Sequence, residues 1–141
     1  FGAVPGRRFE IIVSNPPYVP GPQERLPDRG PERAWDAGSR GRAFLDRICR
    51  EAPVHLTPGG VLLIVHSVVC DEAKTLSALR ARGLETGVVL RHVGRLGPRL
   101  REREEWLRHS GLLAGQHDEV IVVRAQAPEA YPITPRTGRA A

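Results

Sequence analysis

The most informative stretch of the chain is FEIIVSNPPY, which occupies residues 9–18. Four of its first six residues are apolar and three of these are β-branched (Ile11, Ile12 and Val13), which is typical of a strand that is covered on both faces. The two prolines that follow fix φ and lack N–H donors, so they end the strand in a rigid turn with carbonyl acceptors. The stretch therefore predicts a strand that carries Asn15, Pro16, Pro17 and Tyr18 at its carboxyl end, where open α/β sheets bind ligands.

Strands and helices alternate along the rest of the chain. Three further runs have strand character, at residues 60–66, 88–93 and 118–124. The spacing of apolar residues predicts helices at 39–52, 71–83 and 98–109. This order predicts an α/β fold with a mostly parallel sheet. The run at 88–93 is more mixed and suits a strand near an edge. The last strand follows no full crossover, so we expect it to lie antiparallel.

Length and composition describe one globular domain. The chain has 141 residues, of which 40% are hydrophobic and 26% are charged. It contains no methionine and starts at Phe1, so we expect a processed product, a domain or a fragment. No apolar run is long enough to predict a membrane-spanning helix. Cys49 and Cys70 are too few for a disulfide framework, and they favour a reduced, cytoplasmic protein.

The pattern divides the chain into a domain and a tail. Residues 1–125 contain all the predicted strands and helices. Residues 126–141 are rich in proline and poor in large apolar side chains, and we expect a disordered tail there. The proline-rich loop at 19–38 is too long for a plain connection, which indicates a functional role for it.

The charge of the chain has two interpretations. The net charge is +5, and all but one of the 21 basic residues are arginines. A basic surface would attract nucleic acid. However, the arginines are spread along the chain and alternate with acidic residues, as they do at residues 101–105. A biased coding composition explains this pattern equally well, so nucleic acid stays a possible partner only.

The residues after the first strand suit recognition of a planar NH₂ group. The amide oxygen of Asn15 and the carbonyl of Pro16 offer two acceptors in a fixed geometry, and Tyr18 adds an aromatic face. The lone pair of a planar amide is delocalised, so such a nitrogen is a poor nucleophile. Two hydrogen bonds could orient it as it attacks an electrophile. The alternative interpretation is a proline-rich turn that only ends a strand.

Other kinds of catalytic site find little support in the sequence. The five histidines and two cysteines show no close zinc-ligand spacing, so we expect no metal site. No serine lies in a G-x-S-x-G context, which argues against a nucleophile elbow.

The quoted stretch also resembles a known family. Asn15-Pro16-Pro17-Tyr18 after an apolar strand resembles the N-P-P-Y motif of class I S-adenosylmethionine-dependent methyltransferases that act on planar nitrogens. Further resemblance lies in Ala34-Trp35-Asp36-Ala37-Gly38-Ser39-Arg40-Gly41, Leu45-Asp46-Arg47 and Leu56-Thr57-Pro58-Gly59-Gly60. These segments are similar to those of HemK/PrmC-type protein-glutamine methyltransferases. The similarity runs from about residue 9 to 124 and is strongest over 9–60.

The resemblance implies a fold, a reaction and roles for residues. It implies the C-terminal, substrate-side half of a Rossmann-like class I methyltransferase fold, with S-adenosyl-L-methionine as the cofactor. Asn15, Pro16, Pro17 and Tyr18 would form the catalytic motif, and Asn15 would also lie near the cofactor. The implied acceptor is the glutamine in the Gly-Gly-Gln loop of a peptide-chain release factor. Trp35 would border the substrate loop.

The chain departs from this family in two places. No glycine-rich turn follows an apolar strand and opens a helix, as the cofactor fingerprint of the family requires. We therefore expect the cofactor half to be missing and the chain alone to be inactive. Residues 94–116 form an arginine-rich insertion where many members have a tight turn. The insertion could be a lid, a partner surface or a plain solvated helix.

Two rival functions remain open at this stage. The N-P-P-Y motif is shared with adenine-N6 and guanine-N2 methyltransferases of DNA and rRNA, and a non-catalytic methyltransferase remnant is also compatible. In each case the first strand would be an open edge of the sheet. We expect a missing N-terminal half or a partner chain to cover that edge.

Overall fold

The computed structural model describes Gly2 and residues 4–131 of the chain. The strands and helices follow in the order β1 (Phe9–Ser14), α1 (Ala43–Glu51), β2 (Leu56–Ser67), α2 (Glu72–Arg80), β3 (Glu85–Arg95), α3 (Pro98–Glu102), α4 (Glu104–His109) and β4 (His117–Gln126). Short 3-10 helices lie at Pro31–Ala34, Ala52–His55 and Val68–Cys70. No helix among these described residues is long and apolar enough to cross a membrane.

The four strands form one mixed sheet in the order β1-β2-β4-β3. β1 and β2 are parallel, and β4 lies antiparallel to both of its neighbours, β2 and β3. The last strand is therefore antiparallel and β3 lies at an edge, which confirms both sequence predictions. The predicted α/β architecture with a mostly parallel sheet is also confirmed, because β1, β2 and β3 run in the same direction.

One face of this sheet carries the core. Strand pairing places Leu62 beside Ala125 and Ile64 beside Val123, and all four of these side chains are fully buried. Helix α1 adds its own buried residues to the same cluster, namely Leu45, Ile48 and Cys49. The valine, leucine and isoleucine side chains in this cluster each stabilise the fold by about 1.5–3 kcal/mol when they are fully buried. The helices and this face of the sheet thus hold β1 and β2 in register.

The opposite face of the sheet is apolar but more accessible. Ile11 and Val13 of β1 are 65% and 68% exposed. They pair with Val61 and Leu63 of β2, which are only half-buried. Sheets with parallel strands are normally covered on both faces. Ile11 and Val13 are exposed instead, so the described residues do not provide the cover on both faces that the sequence of β1 predicts.

Several element boundaries differ from the sequence prediction, among them the start of β2 and the division of the predicted helix at 98–109. β2 begins at Leu56 rather than at the predicted residue 60, because Phe9 pairs with Leu56 across a bulge in the β1–β2 register. The predicted helix at 98–109 is two short helices, α3 and α4, which meet at Arg103. Both differences arise from contacts with distant parts of the chain rather than from local propensity.

The segment predicted as a disordered tail begins with packed residues. Gln126 belongs to β4, and Ala127 is buried, with its N–H donating to the Gly60 carbonyl at 2.9 Å. The Tyr131 hydroxyl donates to the Arg82 carbonyl at 3.1 Å. Residues 132–141 of the predicted tail lie outside the described residues.

Candidate functional site

The carboxyl end of β1 presents the motif that the sequence singled out. Ser14, the last residue of the strand, pairs with Ile64 in the middle of the sheet. Asn15 follows it and is exposed, Pro16 is buried, and Pro17 and Tyr18 are partly buried. The rigid turn therefore anchors one proline in the protein while the amide of Asn15 faces solvent.

A small cavity adjoins this motif. Its volume is about 170 Å³, and it is lined by Asn15, Pro16, Tyr18, Val19, Ala34 and Trp35. The structure thus brings three of the four predicted motif residues together with Trp35. The resemblance implies that Trp35 borders the substrate loop. Pro17, the fourth motif residue, lines a neighbouring cavity of about 570 Å³ that lies under the loop at 26–36. A site of this kind can hold a small planar group against an amide and two aromatic rings.

The loop at 19–38 is folded back onto the end of the motif. The Val19 N–H donates to the Trp35 carbonyl at 2.7 Å, and the Ala37 N–H donates to the Val19 carbonyl at 3.1 Å. A third bond joins the Gly21 N–H to the Gly38 carbonyl at 3.1 Å. These bonds make the two ends of the loop run side by side, with Val19 and Ala37 buried. We call residues 19–38 the acceptor loop. It carries Ala34 and Trp35 into the wall of the cavity.

Gly41 and Cys70 contact the backbone of the motif at Tyr18. The sequence did not predict these contacts for either residue. The Cys70 thiol donates to the Tyr18 carbonyl at 2.9 Å. Gly41 has φ of 66°, and a Cβ atom there would overlap the Tyr18 carbonyl oxygen and lie 2.8 Å from Cys70 Sγ. Only glycine suits this position, because L side chains rarely adopt such a φ and the space is filled. The resemblance segment contained Gly41, but no local pattern connects it with Tyr18.

A buried arginine holds the segment that contains Cys70. The Arg42 guanidinium donates to the carbonyls of Cys70 and Asp71 and to the Thr75 hydroxyl, the last two at 3.0 and 3.1 Å. Arg42 also forms an ion pair with Asp46 at 2.7 Å. A charge that is only 4% exposed needs such partners. The arginine therefore fixes the start of α2 against the motif.

Tyr18 lies in an environment that keeps its hydroxyl protonated. Burial raises the pKa of Tyr18 above its ordinary value, and the carboxylate of Asp118 raises it further. Asp118 is itself buried and accepts a hydrogen bond from the Ser67 hydroxyl at the end of β2. Tyr18 is therefore a neutral aromatic wall of the site at physiological pH.

The two cysteines provide a prediction about pH. Burial raises the pKa of the Cys49 thiol to about 11 and that of the Cys70 thiol to about 12. The folded state favours the protonated thiols, so their contribution to stability is complete below the ordinary thiol pKa and is lost as the pH rises towards these values. At pH 8 we expect iodoacetamide to alkylate both thiols at least about 100-fold more slowly than in denaturant. Alkylation of the folded chain at the rate of a free thiol would contradict this burial.

The described residues do not contain the glycine-rich turn with which the resembled family holds its cofactor. Asn15, the predicted cofactor neighbour, is available at the end of β1, but no glycine-rich turn joins a strand to a helix within residues 4–131. These residues alone therefore do not fit a complete site for S-adenosylmethionine. Within the same part of the chain, no three His, Cys, Asp or Glu side chains are grouped to hold a metal ion.

Comparison with known proteins identifies relatives of this chain, although no protein-family profile matches it. The chain is 34% identical over 84 residues to a protein named as an N5-glutamine methyltransferase in Methanocaldococcus jannaschii, which covers 60% of this chain and 43% of that protein. It is 34% identical over 88 residues to the mouse methyltransferase HEMK2, and this match covers 62% of this chain and 41% of HEMK2. It is 38% identical over 99 residues to the release factor glutamine methyltransferase of Pseudomonas aeruginosa, covering 67% and 35%. The chain thus spans less than half the length of these relatives.

A solved structure shows the same fold. The chain superimposes on a chain of the Mtq2–Trm112 complex of E. cuniculi, which methylates the translation termination factor eRF1, with a TM-score of 0.51 and 20% identity. The match covers 83% of this chain and 51% of that one. The four-stranded sheet is therefore part of a class I methyltransferase fold. Together with the sequence relatives, this confirms the resemblance to HemK/PrmC-type glutamine methyltransferases.

Proposed function

We propose that this chain, a homologue of HemK-type glutamine methyltransferases, forms the acceptor side of an S-adenosylmethionine-dependent N-methyltransferase. The proposed reaction is N5-methylation of a glutamine in a peptide-chain release factor. One observation carries the proposal: Asn15, Pro16 and Tyr18 line a single small cavity together with Trp35. The names of the relatives support this choice of acceptor, and the geometry supports a planar NH₂ group as the chemical class.

The residues of the motif would act by orientation. The Asn15 side-chain oxygen and the Pro16 carbonyl would accept hydrogen bonds from the two N–H groups of the glutamine amide. Tyr18 would flank the amide plane. When bound, the cofactor supplies an electrophilic methyl group. Orientation of the nitrogen towards it is the contribution that this chain makes to the barrier.

The arrangement of charge supports a protein acceptor over nucleic acid. Several arginines that could form a basic surface are paired with carboxylates: Arg42 with Asp46, Arg91 with Glu72 and Glu119, Arg103 with Asp36, and Arg108 with Glu104. Phosphate recognition relies on arginines and lysines that are free to replace counterions. Arginines held in such ion pairs are less available to phosphate, although the pairing leaves the net charge of +5 unchanged.

We further propose that polypeptide outside these 141 residues supplies the cofactor cradle and covers β1. Three observations support this: the absence of a glycine-rich turn in residues 4–131, the exposed apolar pair Ile11 and Val13, and the partial coverage of the relatives. The added strands would lie beside β1, where Asn15 would meet the cofactor. The proposal therefore places Asn15 next to the cofactor. It also includes a cytoplasmic location for the protein.

The first consequence concerns cofactor binding. We expect titration calorimetry of the 141-residue chain to detect little or no binding of S-adenosylmethionine, because the cradle is not within the described residues. The same titration of the complete gene product should detect binding. Tight binding by the 141-residue chain alone would contradict the proposed division of the site.

The second consequence concerns association of the chain. An open edge strand with apolar side chains is a template for pairing with another chain. We expect the isolated chain to associate in solution, and we expect Ile11→Lys to shift it towards the monomer in light scattering. Val54→Lys is the comparison variant, since Val54 is 49% exposed but lies in a 3-10 helix rather than in the edge strand. A sharp thermal transition of a monomeric wild-type chain would argue against this account.

The acceptor class is tested by direct competition of substrates. The complete gene product and labelled cofactor would be incubated in parallel with a release factor, DNA and rRNA. We expect label in the release factor only. Label in DNA or rRNA alone would replace the proposal with a nucleic-acid methyltransferase. No label in any acceptor, despite cofactor binding, would favour a non-catalytic remnant.

A further inference from the structure

The connection between β3 and β4 lies against the acceptor loop. We call residues 96–113, which include α3 and α4, the strap. Four of its five leucines are buried, namely Leu96, Leu100, Leu107 and Leu113, with exposures between 0% and 6%. The arginine-rich insertion is therefore a packed part of the core and not a plain solvated helix.

One side chain of the strap reaches both ends of the acceptor loop. Arg103, at the junction of α3 and α4, donates to the Pro20 carbonyl at 2.9 Å and forms an ion pair with Asp36. Pro20 and Asp36 lie on the two adjacent stretches that the backbone bonds of Val19 join. The side chains of Arg103 and Asp36 are only 20% and 15% exposed. A charged hydrogen bond that is shielded in this way is stronger than an exposed ion pair.

Gly21 of the acceptor loop leaves room for the Arg103 guanidinium. A Cβ atom at Gly21 would lie 2.7 Å from Nη1 of Arg103 and 3.4 Å from the Asp36 carboxylate. The absence of a side chain at position 21 thus allows Arg103 to contact Pro20 and Asp36 at once.

A second arginine of the strap contacts the wall of the cavity. The guanidinium of Arg99 lies 4.0 Å from the centre of the Trp35 ring, within the range of a cation–π interaction. Trp35 lines the cavity beside Asn15. The strap therefore touches the acceptor loop at Pro20, at Trp35 and at Asp36.

We propose that the strap is a clamp for the acceptor loop, and that Arg103 and Arg99 are positioning residues that keep Trp35 in the wall of the cavity. This assignment rests on the proposed function for its effect on methyl transfer. The clamp itself rests on the contacts alone. Neither arginine lines the cavity, so both would act through the loop.

Limited proteolysis tests the clamp without any methyl acceptor. Glutamyl endopeptidase can cut the acceptor loop at Glu24 and Glu32, and substitution of an arginine leaves these sites unchanged. We expect Arg103→Ala in the 141-residue chain to raise the rate of cleavage at these two sites about 10-fold. Arg103→Lys, which keeps the charge, should restore part of the protection.

Two further variants separate the clamp from general destabilisation. Gly21→Ala keeps every charge but should displace the guanidinium, so it should also raise cleavage of the loop. Arg101→Ala is the matched control. Arg101 lies on α3 but donates to Leu96 within the strap at 3.1 Å, so its removal should leave cleavage of the loop unchanged.

A spectroscopic reading locates the effect at Trp35. In a Trp106→Phe background, acrylamide quenching of the remaining indole should increase in Arg99→Ala and Arg103→Ala, and remain unchanged in Arg101→Ala. Equal cleavage and equal quenching in all three arginine variants would overturn the clamp. In the complete gene product, Arg103→Ala should also lower kcat/KM for the acceptor about 10-fold. Loosening of the loop with unchanged kcat/KM would overturn the positioning role, whereas inactivity of the wild type would count against the proposed function alone.

Discussion

Asn15→Ala is expected to lower methyl transfer by the complete gene product by about 10²–10³-fold, the typical cost of removing one oriented polar group from an active site. Asn15 lines the cavity and is exposed at the end of β1. Its side chain is therefore available to the acceptor, and its loss should leave the core intact. Turnover of a release factor with labelled cofactor measures the effect, and circular dichroism verifies the fold.

Gln23→Ala provides the matched control for this substitution. Gln23 is an exposed amide on the nearby acceptor loop but does not line the Asn15 cavity. Its removal should leave the rate within about twofold of wild type, because surface substitutions usually have small effects. Comparable losses in both variants would indicate that the loop, rather than the amide of Asn15, controls activity.

Gly41→Ala is expected to destabilise the chain by about 2–4 kcal/mol, since it combines an unfavourable φ with overlap against the Tyr18 carbonyl. The motif and the segment around Cys70 would have to separate to admit the methyl group. Denaturant unfolding would measure the loss as a lower midpoint. Alkylation of Cys70 at pH 8 should accelerate in the same variant, because the contact of its thiol with Tyr18 would be broken.

Gly111→Ala separates the two causes of this effect. Gly111 has φ of 70°, close to that of Gly41, but a Cβ atom there would meet no other atom within 4 Å. Its cost should be about 1 kcal/mol, from the backbone conformation alone. The excess cost of Gly41→Ala then measures the close approach to Tyr18. Equal costs for the two variants would show that this approach is unimportant.

The sequence predicted the parts of the fold that local patterns encode. β1 has the predicted bounds, because its apolar run ends at two prolines that cannot continue a strand. The antiparallel last strand was predicted because no full crossover precedes it. The Asn15–Tyr18 motif was recognised from its residues, and its position at the end of β1 required only the strand prediction.

The supports of the site could not be predicted in the same way. The contact of Gly41 with Tyr18 and the contacts of Arg103 with Pro20 and Asp36 join residues that are far apart in the chain. No periodicity or motif records such pairs. The break of the predicted 98–109 helix also lies at a residue with distant partners, because Arg103 contacts Pro20 and Asp36 of the acceptor loop.

The most direct test of the account is to locate the transferred methyl group. The complete gene product would be incubated with a release factor and S-adenosylmethionine, and the acceptor would be digested and sequenced by mass spectrometry. We expect the mass of one methyl group on the side-chain amide of the glutamine in the Gly-Gly-Gln loop, and its loss in the Asn15→Ala variant. A methyl group on another residue type, or one that persists unchanged without Asn15, would contradict the assignment of this site.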